Sequence, residues 1–144
     1  MFSPLASTSV APWLFSASLL ALIAWLLWHH DRLRGAWLVG LGVALNLAVV
    51  LGNGGHMPVP ADLARRGPKE LVEVGTWGQY VLAGPGTRLG WLGDWVQLPQ
   101  PIHTLFPQAY SPGDLVALAG MVVALFLATR AAPAGARSAP LTTP

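Results

Sequence analysis

The chain has 144 residues, of which 53% are hydrophobic and only 10% are charged. Soluble domains average about 25% charged residues, so the composition argues against a soluble globular protein and indicates one membrane domain with tails. The net charge of +2 is small and the basic residues are scattered, which argues against nucleic-acid binding. The absence of cysteine excludes disulfides, thiolate metal sites and a cysteine nucleophile.

The first predicted element is a transmembrane helix over residues 10–28. This run carries no charge and approaches the ~20 residues that cross a bilayer. Residues 1–9 contain no lysine or arginine, so they lack the positive region of a secretory signal peptide. We therefore interpret the first span as a retained anchor preceded by a short extracytoplasmic segment.

A second span is predicted over residues 36–52, and Asn46 is its one polar side chain. Amides in membrane helices usually serve packing, so we expect Asn46 to bond a neighbouring helix or a backbone carbonyl rather than a ligand. Gly40 and Gly42 leave room for another helix to approach closely.

Residues 53–112 form a long connection rich in glycine and proline, and connections of this length are usually functional or disordered. Its tryptophans and apolar patches argue against disorder. The pattern over Glu70–Leu82 predicts a short interfacial helix. Leu89–Leu98 is apolar but too short to span, which favours a segment that dips into the interface.

The third span is predicted over residues 115–129, short enough to require some thinning of the bilayer. Residues 130–144 are rich in alanine, proline, serine and threonine, which predicts a disordered tail. Arg32 and Arg34 in the first loop, and the arginines after the last span, favour the cytoplasmic side. That places the amino terminus and the 53–112 loop outside.

The predicted fold is therefore all-α: a polytopic membrane protein with three transmembrane helices and a structured extracytoplasmic loop bearing interfacial helices. Three short spans bury little surface among themselves. A partner membrane protein or a homo-oligomer is therefore compatible with the sequence, since helix association in lipid depends on packing contacts.

Three short patches have the composition expected of segments with a fixed backbone geometry. The first of them follows the second span. In Asn53-Gly54-Gly55-His56, the glycines and asparagine allow a sharp turn with positive φ. One interpretation is a helix C-cap and turn. The other is a binding site in which a nest of backbone N–H groups holds a headgroup or a carbonyl, with His56 as an additional donor.

The other two patches each contain an aspartate. Thr87–Trp95 is typical of an interfacial turn anchored by tryptophan, in which Asp94 caps backbone N–H groups or pairs with Arg88. In Ser111-Pro112-Gly113-Asp114, Ser111 suits the N-cap, and Asp114 falls at N3, as in a capping box.

A functional alternative joins these two aspartates. If Asp94 and Asp114 meet at the outer surface, one holds a proton and acts as an acid while the other activates water. That is the chemistry of an aspartyl peptidase. His29-His30-Asp31 is better explained as the polar end of a helix at headgroup level than as a metal site, and no cofactor motif is present.

Together the patches resemble a family of small bacterial membrane proteins known only as a domain of unknown function. The shared features are the Asn-Gly-Gly and Met-Pro-Val patch, the Leu-Gly-Asp patch and the Ser-x-Gly-Asp patch, over about residues 35–129. The resemblance implies a multi-pass protein of the bacterial cytoplasmic (inner) membrane and supplies no reaction.

A fainter similarity is to the lipoprotein signal peptidases. Their catalytic aspartates lie in two patches with a separation like that of Asp94 and Asp114, although Trp95 follows Asp94 where those enzymes have phenylalanine. This similarity implies a catalytic pair.

The leading hypothesis is an accessory or interaction subunit whose outer loop binds a partner or membrane lipid, with Asn53, Gly54, Gly55, His56, Arg88 and Ser111 as candidate binding residues. The alternative is an intramembrane aspartyl hydrolase that uses Asp94 and Asp114. A transporter ranks third, because it would need more polarity within the spans than Asn46 provides.

Overall fold

A computed structural model describes residues 10–31, 35–106 and 108–131. It is mostly helical, with three long helices in these ranges: α1 (Ala11–Trp28), α2 (Ala36–Gly52) and α6 (Pro112–Ala131). Between α2 and α6 lie β1 (Met57–Val59), α3 (Ala61–Ala64), α4 (Lys69–Glu73), β2 (Thr76–Trp77), β3 (Tyr80–Leu82), a 3₁₀ turn (Gly90–Leu92) and α5 (Ile102–Leu105). The predicted extracytoplasmic segment 1–9 and most of the predicted tail lie outside the described residues.

Two helices, α1 and α6, are long and apolar enough to cross a membrane by length and composition. They turn large apolar side chains outward: Leu27 is 67% exposed and Leu125 is 68% exposed. Helices in the core of a soluble protein would instead be mostly buried, so membrane association is the better explanation. Helix α6 has 20 residues, about 30 Å at 1.5 Å per residue, and it extends beyond both ends of the span predicted over 115–129.

The contact between α2 and α6 depends on glycine. A Cβ on Gly42 would collide with the Gly113 carbonyl oxygen and lie 2.5 Å from Ala117 N. A Cβ on Gly120 would lie 2.5 Å from Val39 N. The two backbones therefore touch, as expected for Gly42. Gly40 is different, because a Cβ there would meet only Leu26 Cδ1, at 4.0 Å.

A small three-stranded sheet, in the order β1-β3-β2, corrects the all-α prediction. Strand β1 pairs with β3 in parallel and β2 pairs with β3 antiparallel. The interfacial helix predicted over Glu70–Leu82 is also wrong, because only its first residues are helical. Gly75, with φ of +84°, follows α4, and Gly78, with φ of +59°, lies in the hairpin turn. The residues around them, Thr76, Trp77, Tyr80 and Val81, are of types that favour strands.

The loop between α2 and α6 is folded onto the C-terminal end of α2. One buried cluster joins Val49 and Val50 of α2 to Met57 and Leu92 of the loop. A second cluster, of Val59, Ala64 and Leu71, packs the short helices against the sheet. Leu92 therefore turns toward the protein core, while Trp91 next to it is 65% exposed. These contacts fix the position of the segment that carries Asp94.

Candidate functional site

The first patch forms a turn at the end of α2. Gly54 and Gly55 have φ of +68° and +90°, and Gly55 N–H donates to Val50 O at 2.9 Å. The N–H groups of Asn53, Gly54 and His56 also donate to backbone carbonyls. Since these donors are already used within the turn, the hydrogen bonds favour the C-cap interpretation over a nest that holds a ligand.

Asn53 links the first patch to the second through the backbone of Arg88. Its Nδ2 donates to Arg88 O and to Val49 O, both at 2.7 Å, and its Oδ1 accepts from Arg88 N at 2.9 Å. The predicted ion pair between Arg88 and Asp94 is not formed. Within the described ranges, the one ion pair joins His30 and Asp31, at 3.0 Å. Asn53 and Arg88 therefore hold the loop in place.

The third patch forms the predicted capping box. Asp114 N donates to Ser111 Oγ at 2.9 Å, and Ser111 N donates to Asp114 Oδ2 at 2.9 Å. Asn46 closes the network from α2: its Nδ2 donates to Asp114 Oδ1 at 2.6 Å, and its Oδ1 accepts from Ser111 Oγ at 2.7 Å. The expectation that Asn46 bonds a neighbouring helix is confirmed. Both oxygens of Asp114 are thus engaged.

Unlike Asp114, Asp94 has a carboxylate oxygen without a hydrogen-bond partner. Its N–H donates to Pro58 O at 3.0 Å, which ties it to β1. Gly93 permits this approach, because a Cβ there would lie 2.5 Å from Pro58 O. The Asp94 residue is only 8% exposed, and its Oδ1 is buried without a hydrogen-bond partner. The expected capping role is therefore not performed by this oxygen.

Asp94 and Asp114 line the same cleft of about 670 Å³, which we call the larger cleft. Burial raises the pKa of Asp94 to about 7, and the negative charge of Asp114 contributes to this rise. The structure therefore brings the two predicted aspartates to one cavity in different states: Asp114 is fully bonded, whereas Asp94 has an unsatisfied acceptor.

The walls of the larger cleft are mainly apolar. Side chains from α1, α6 and the loop supply this surface, among them Phe15, Leu98, Phe106, Leu115, Leu118 and Met121. Among its described lining residues there is no lysine, arginine or histidine. The polar groups at the end formed by the loop include Tyr80, whose pKa is raised by burial and by the charge of Asp94.

A second cavity of about 270 Å³, the smaller cleft, lies against the same aspartate. The two clefts share Tyr80, Asp94, Gln108 and Ala109. His103 lines only the smaller cleft, and its Nδ1 is buried without a hydrogen-bond partner. Tyr80 and His103 were not predictable as site residues from the sequence, because neither belongs to a motif and only the fold of the loop brings them to the cleft that Asp94 lines.

Comparison with known families places most of the chain in one group. Residues 4–126 match a family of unknown function, DUF5317, and the match begins nearer the amino terminus than the expected residue 35. No curated protein and no solved structure matches the chain. The similarity to lipoprotein signal peptidases is therefore not supported by the comparisons. The chain belongs to the DUF5317 family, whose function is unknown.

Proposed function

We propose that this is a three-span integral membrane protein whose larger cleft binds an amphiphile. The apolar chain of the ligand lies against α1 and α6, and its polar head lies against Asp94. One observation carries the proposal: an apolar cavity of about 670 Å³ includes in its wall the carboxylate of Asp94, which has a buried, unpartnered oxygen.

The topology rests on helix length and charge. Helix α2 has 17 residues, about 26 Å at 1.5 Å per residue, slightly less than the ~30 Å hydrocarbon core. Its contacts with α1 and α6 support it as the middle span. Arg130 at the end of α6 favours the cytoplasm, so the loop that carries Asp94 is extracytoplasmic, in a bacterial inner membrane.

Because the chain has no cysteine, single cysteines report this topology directly. Glu73→Cys in the loop should react with a membrane-impermeant maleimide in intact spheroplasts, whereas Ser138→Cys in the tail should react only after lysis. The reverse pattern would contradict the orientation. Equal labelling of both in intact spheroplasts would contradict the spanning arrangement.

Apolar lining near lipid favours a ligand with a hydrocarbon chain. Leu118 and Met121 both line the larger cleft, yet they are 54% and 52% exposed. The cleft is therefore continuous with the outward face of α6, from which a chain enters sideways. Ligand sites are typically apolar with a few placed polar groups that fix orientation, and Asp94 and Tyr80 supply them here.

The acidic end of the cleft selects the head of the ligand. The two carboxylates of the larger cleft repel an anionic phosphate or carboxylate head, and no cation among the described lining residues offsets this repulsion. A buried acceptor without a partner costs about 1–3 kcal/mol, and a head that donates a hydrogen bond to Asp94 removes that cost. The ligand class is therefore a neutral or cationic amphiphile, such as a monoacylglycerol or a long-chain amine.

Native mass spectrometry of the purified protein in detergent tests binding. Monoacylglycerol and dodecylamine should form one-to-one adducts, and a fatty acid should bind at least about ten-fold more weakly. Leu118→Trp fills the cleft and should abolish the adducts, whereas Leu125→Trp, on the same helix but outside the cleft, should preserve them. Equal binding of all three ligands, or equal loss in both variants, would reject the proposal.

An aspartyl hydrolase is the second candidate, favoured by the pKa of about 7 at Asp94 beside Asp114. Pairs of acids whose environments differ are suited to separate acid and base roles. Water would attack the carbonyl carbon of a lipid-anchored peptide and lose its proton to Asp114. The carbon–nitrogen bond would break as Asp94 protonates the leaving amine.

Asp94→Asn separates this candidate from the binding proposal. If the protein is a hydrolase, the variant should fold, retain the amphiphile and lose cleavage of a lipid-anchored peptide by at least about 10²-fold, the lower range for general acid–base catalysis. Cleavage that continues unchanged in Asp94→Asn, or is absent from the wild-type protein, would exclude the hydrolase.

A further inference from the structure

Two buried side-chain atoms stand out in the described part of the chain, because neither has a hydrogen-bond partner. They are Asp94 Oδ1 and His103 Nδ1. Both residues line the smaller cleft of about 270 Å³. Buried polar atoms are nearly always paired with protein or ordered water. Two unpaired atoms in one small cavity therefore indicate a missing binding partner.

The backbones of Asp94 and His103 are held by different segments of the loop. Asp94 N–H is bonded to Pro58 O of β1 at 3.0 Å, and His103 N–H is bonded to Pro99 O at the start of α5 at 3.1 Å. Asp94 is more than nine-tenths buried, with 8% exposure. Folding has thus fixed the backbone of both residues at a cost to their polar side chains. Val59, Leu63 and Leu71 of the lining have no donor to offer, and the polar lining residues Arg66, Tyr80, Gln97 and Gln108 make no hydrogen bond to either unpaired atom.

We propose that the smaller cleft binds the hydroxyl or ammonium group of a small polar molecule, held between Asp94 Oδ1 and His103 Nδ1. A hydroxyl donates to the carboxylate and has lone pairs and a rotatable proton that suit either tautomer of the imidazole. An ammonium group donates to the carboxylate and to an unprotonated Nδ1. At this position an anion would meet the repulsion of the Asp94 carboxylate, so binding of acetate would instead point to Arg66, which also lines the cleft.

Metal binding does not explain the pair. Catalytic zinc sites usually have three protein ligands and structural sites have four, and no group of three such side chains occurs within the described ranges. The volume of about 270 Å³ lies at the lower limit of ordinary ligand pockets. A polyol or amino alcohol the size of glycerol or ethanolamine suits the cavity.

Two sources can supply this group, because the clefts share Asp94 and Tyr80. A free molecule enters the smaller cleft from the aqueous side. Alternatively, the head of an amphiphile in the larger cleft reaches past Asp94. The site itself depends only on Asp94 and His103, so it stands even if the larger cleft binds no lipid.

The test is NMR of the full chain in nanodiscs with ¹⁵N-labelled histidine, using glycerol, ethanolamine and acetate as probes. Glycerol or ethanolamine should shift the His103 ring signals saturably, and acetate should not. Asp94→Asn should weaken the effect at least ten-fold, while His30→Gln, at an exposed residue that lines neither cleft, should leave it unchanged. No saturable shift with any probe, monoacylglycerol included, an ordered water that no probe displaces, or an equal response in Asp94→Asn would overturn the proposal.

A further titration with monoacylglycerol identifies the source. A His103 shift caused by free glycerol that survives Leu118→Trp assigns a separate small-molecule site. A shift caused only by monoacylglycerol and removed by Leu118→Trp assigns the head of the amphiphile. If glycerol shifts His103 but no amphiphile binds, the smaller site stands and the proposed function fails.

Discussion

Asn46 of α2 donates a hydrogen bond of 2.6 Å to Asp114 at the start of α6, joining residues 68 positions apart. The same amide accepts from Ser111, which is fully buried. One hydrogen-bond network therefore fixes both the start of α6 and the contact between α6 and α2. It also fixes Asp114 as a bonded carboxylate, which leaves Asp94 as the acid available to a ligand.

Replacing Asn46 should destabilise the protein. Asn46→Leu leaves Asp114 Oδ1 and Ser111 Oγ without this partner, at a cost of about 1–3 kcal/mol. Thermal melting in detergent should show a lower Tm, while Leu125→Ala on the exposed face of α6 should melt like the wild type. An unchanged Tm for Asn46→Leu would contradict the role of the network.

The glycine contact gives a matched pair of variants. Gly42→Ala places a methyl group against the backbone of α6, whereas Gly40→Ala faces only Leu26 Cδ1 at 4.0 Å. Overpacking typically costs about 1–3 kcal/mol, so Gly42→Ala should lower Tm and Gly40→Ala should not. Equal effects from the two substitutions would show that the helices are not in backbone contact at Gly42.

The acidity of Asp94 predicts a pH-dependent stability. Its pKa is raised from 3.8 to about 7, so the folded state binds this proton more tightly, and stability is lost as pH rises from about 4 to 7. The charged or titratable groups around Asp94 are Asp114, Tyr80, His103 and Arg66. Comparison with Asp94→Asn isolates the contribution of Asp94 from theirs.

Asp94→Asn should therefore raise Tm relative to the wild type at pH 8 and change it little at pH 4. At about 1.4 kcal/mol per pKa unit, the difference is about 2–4 kcal/mol. The measurement is thermal unfolding of both proteins across this pH range. A constant difference in Tm at all pH values would contradict the unpaired, buried state of the Asp94 carboxyl.

Features that depend on neighbouring residues were predictable from the sequence. The bounds of α1 and α2 follow from long apolar runs without a charged residue, and the capping box follows from the spacing of Ser111 and Asp114. The helix predicted over Glu70–Leu82 failed because two glycines with positive φ interrupt it.

The environment of Asp94 was not predictable in the same way. Its burial depends on Pro58, to which its backbone is bonded across 36 positions of the chain. Its companion His103 comes from α5 through the packing of the loop. Such contacts leave no periodic or motif signal, so the sequence indicated the two aspartates but neither cleft.

The central claim, that the larger cleft holds the chain of an amphiphile, is tested most directly by photo-crosslinking in nanodiscs. A monoacylglycerol with a diazirine on its chain should label α6 near Leu118 and Met121, and Leu118→Trp should remove this label while Leu125→Trp preserves it. Labelling spread evenly over the exposed faces of α1 and α6, unchanged by Leu118→Trp, would contradict the claim.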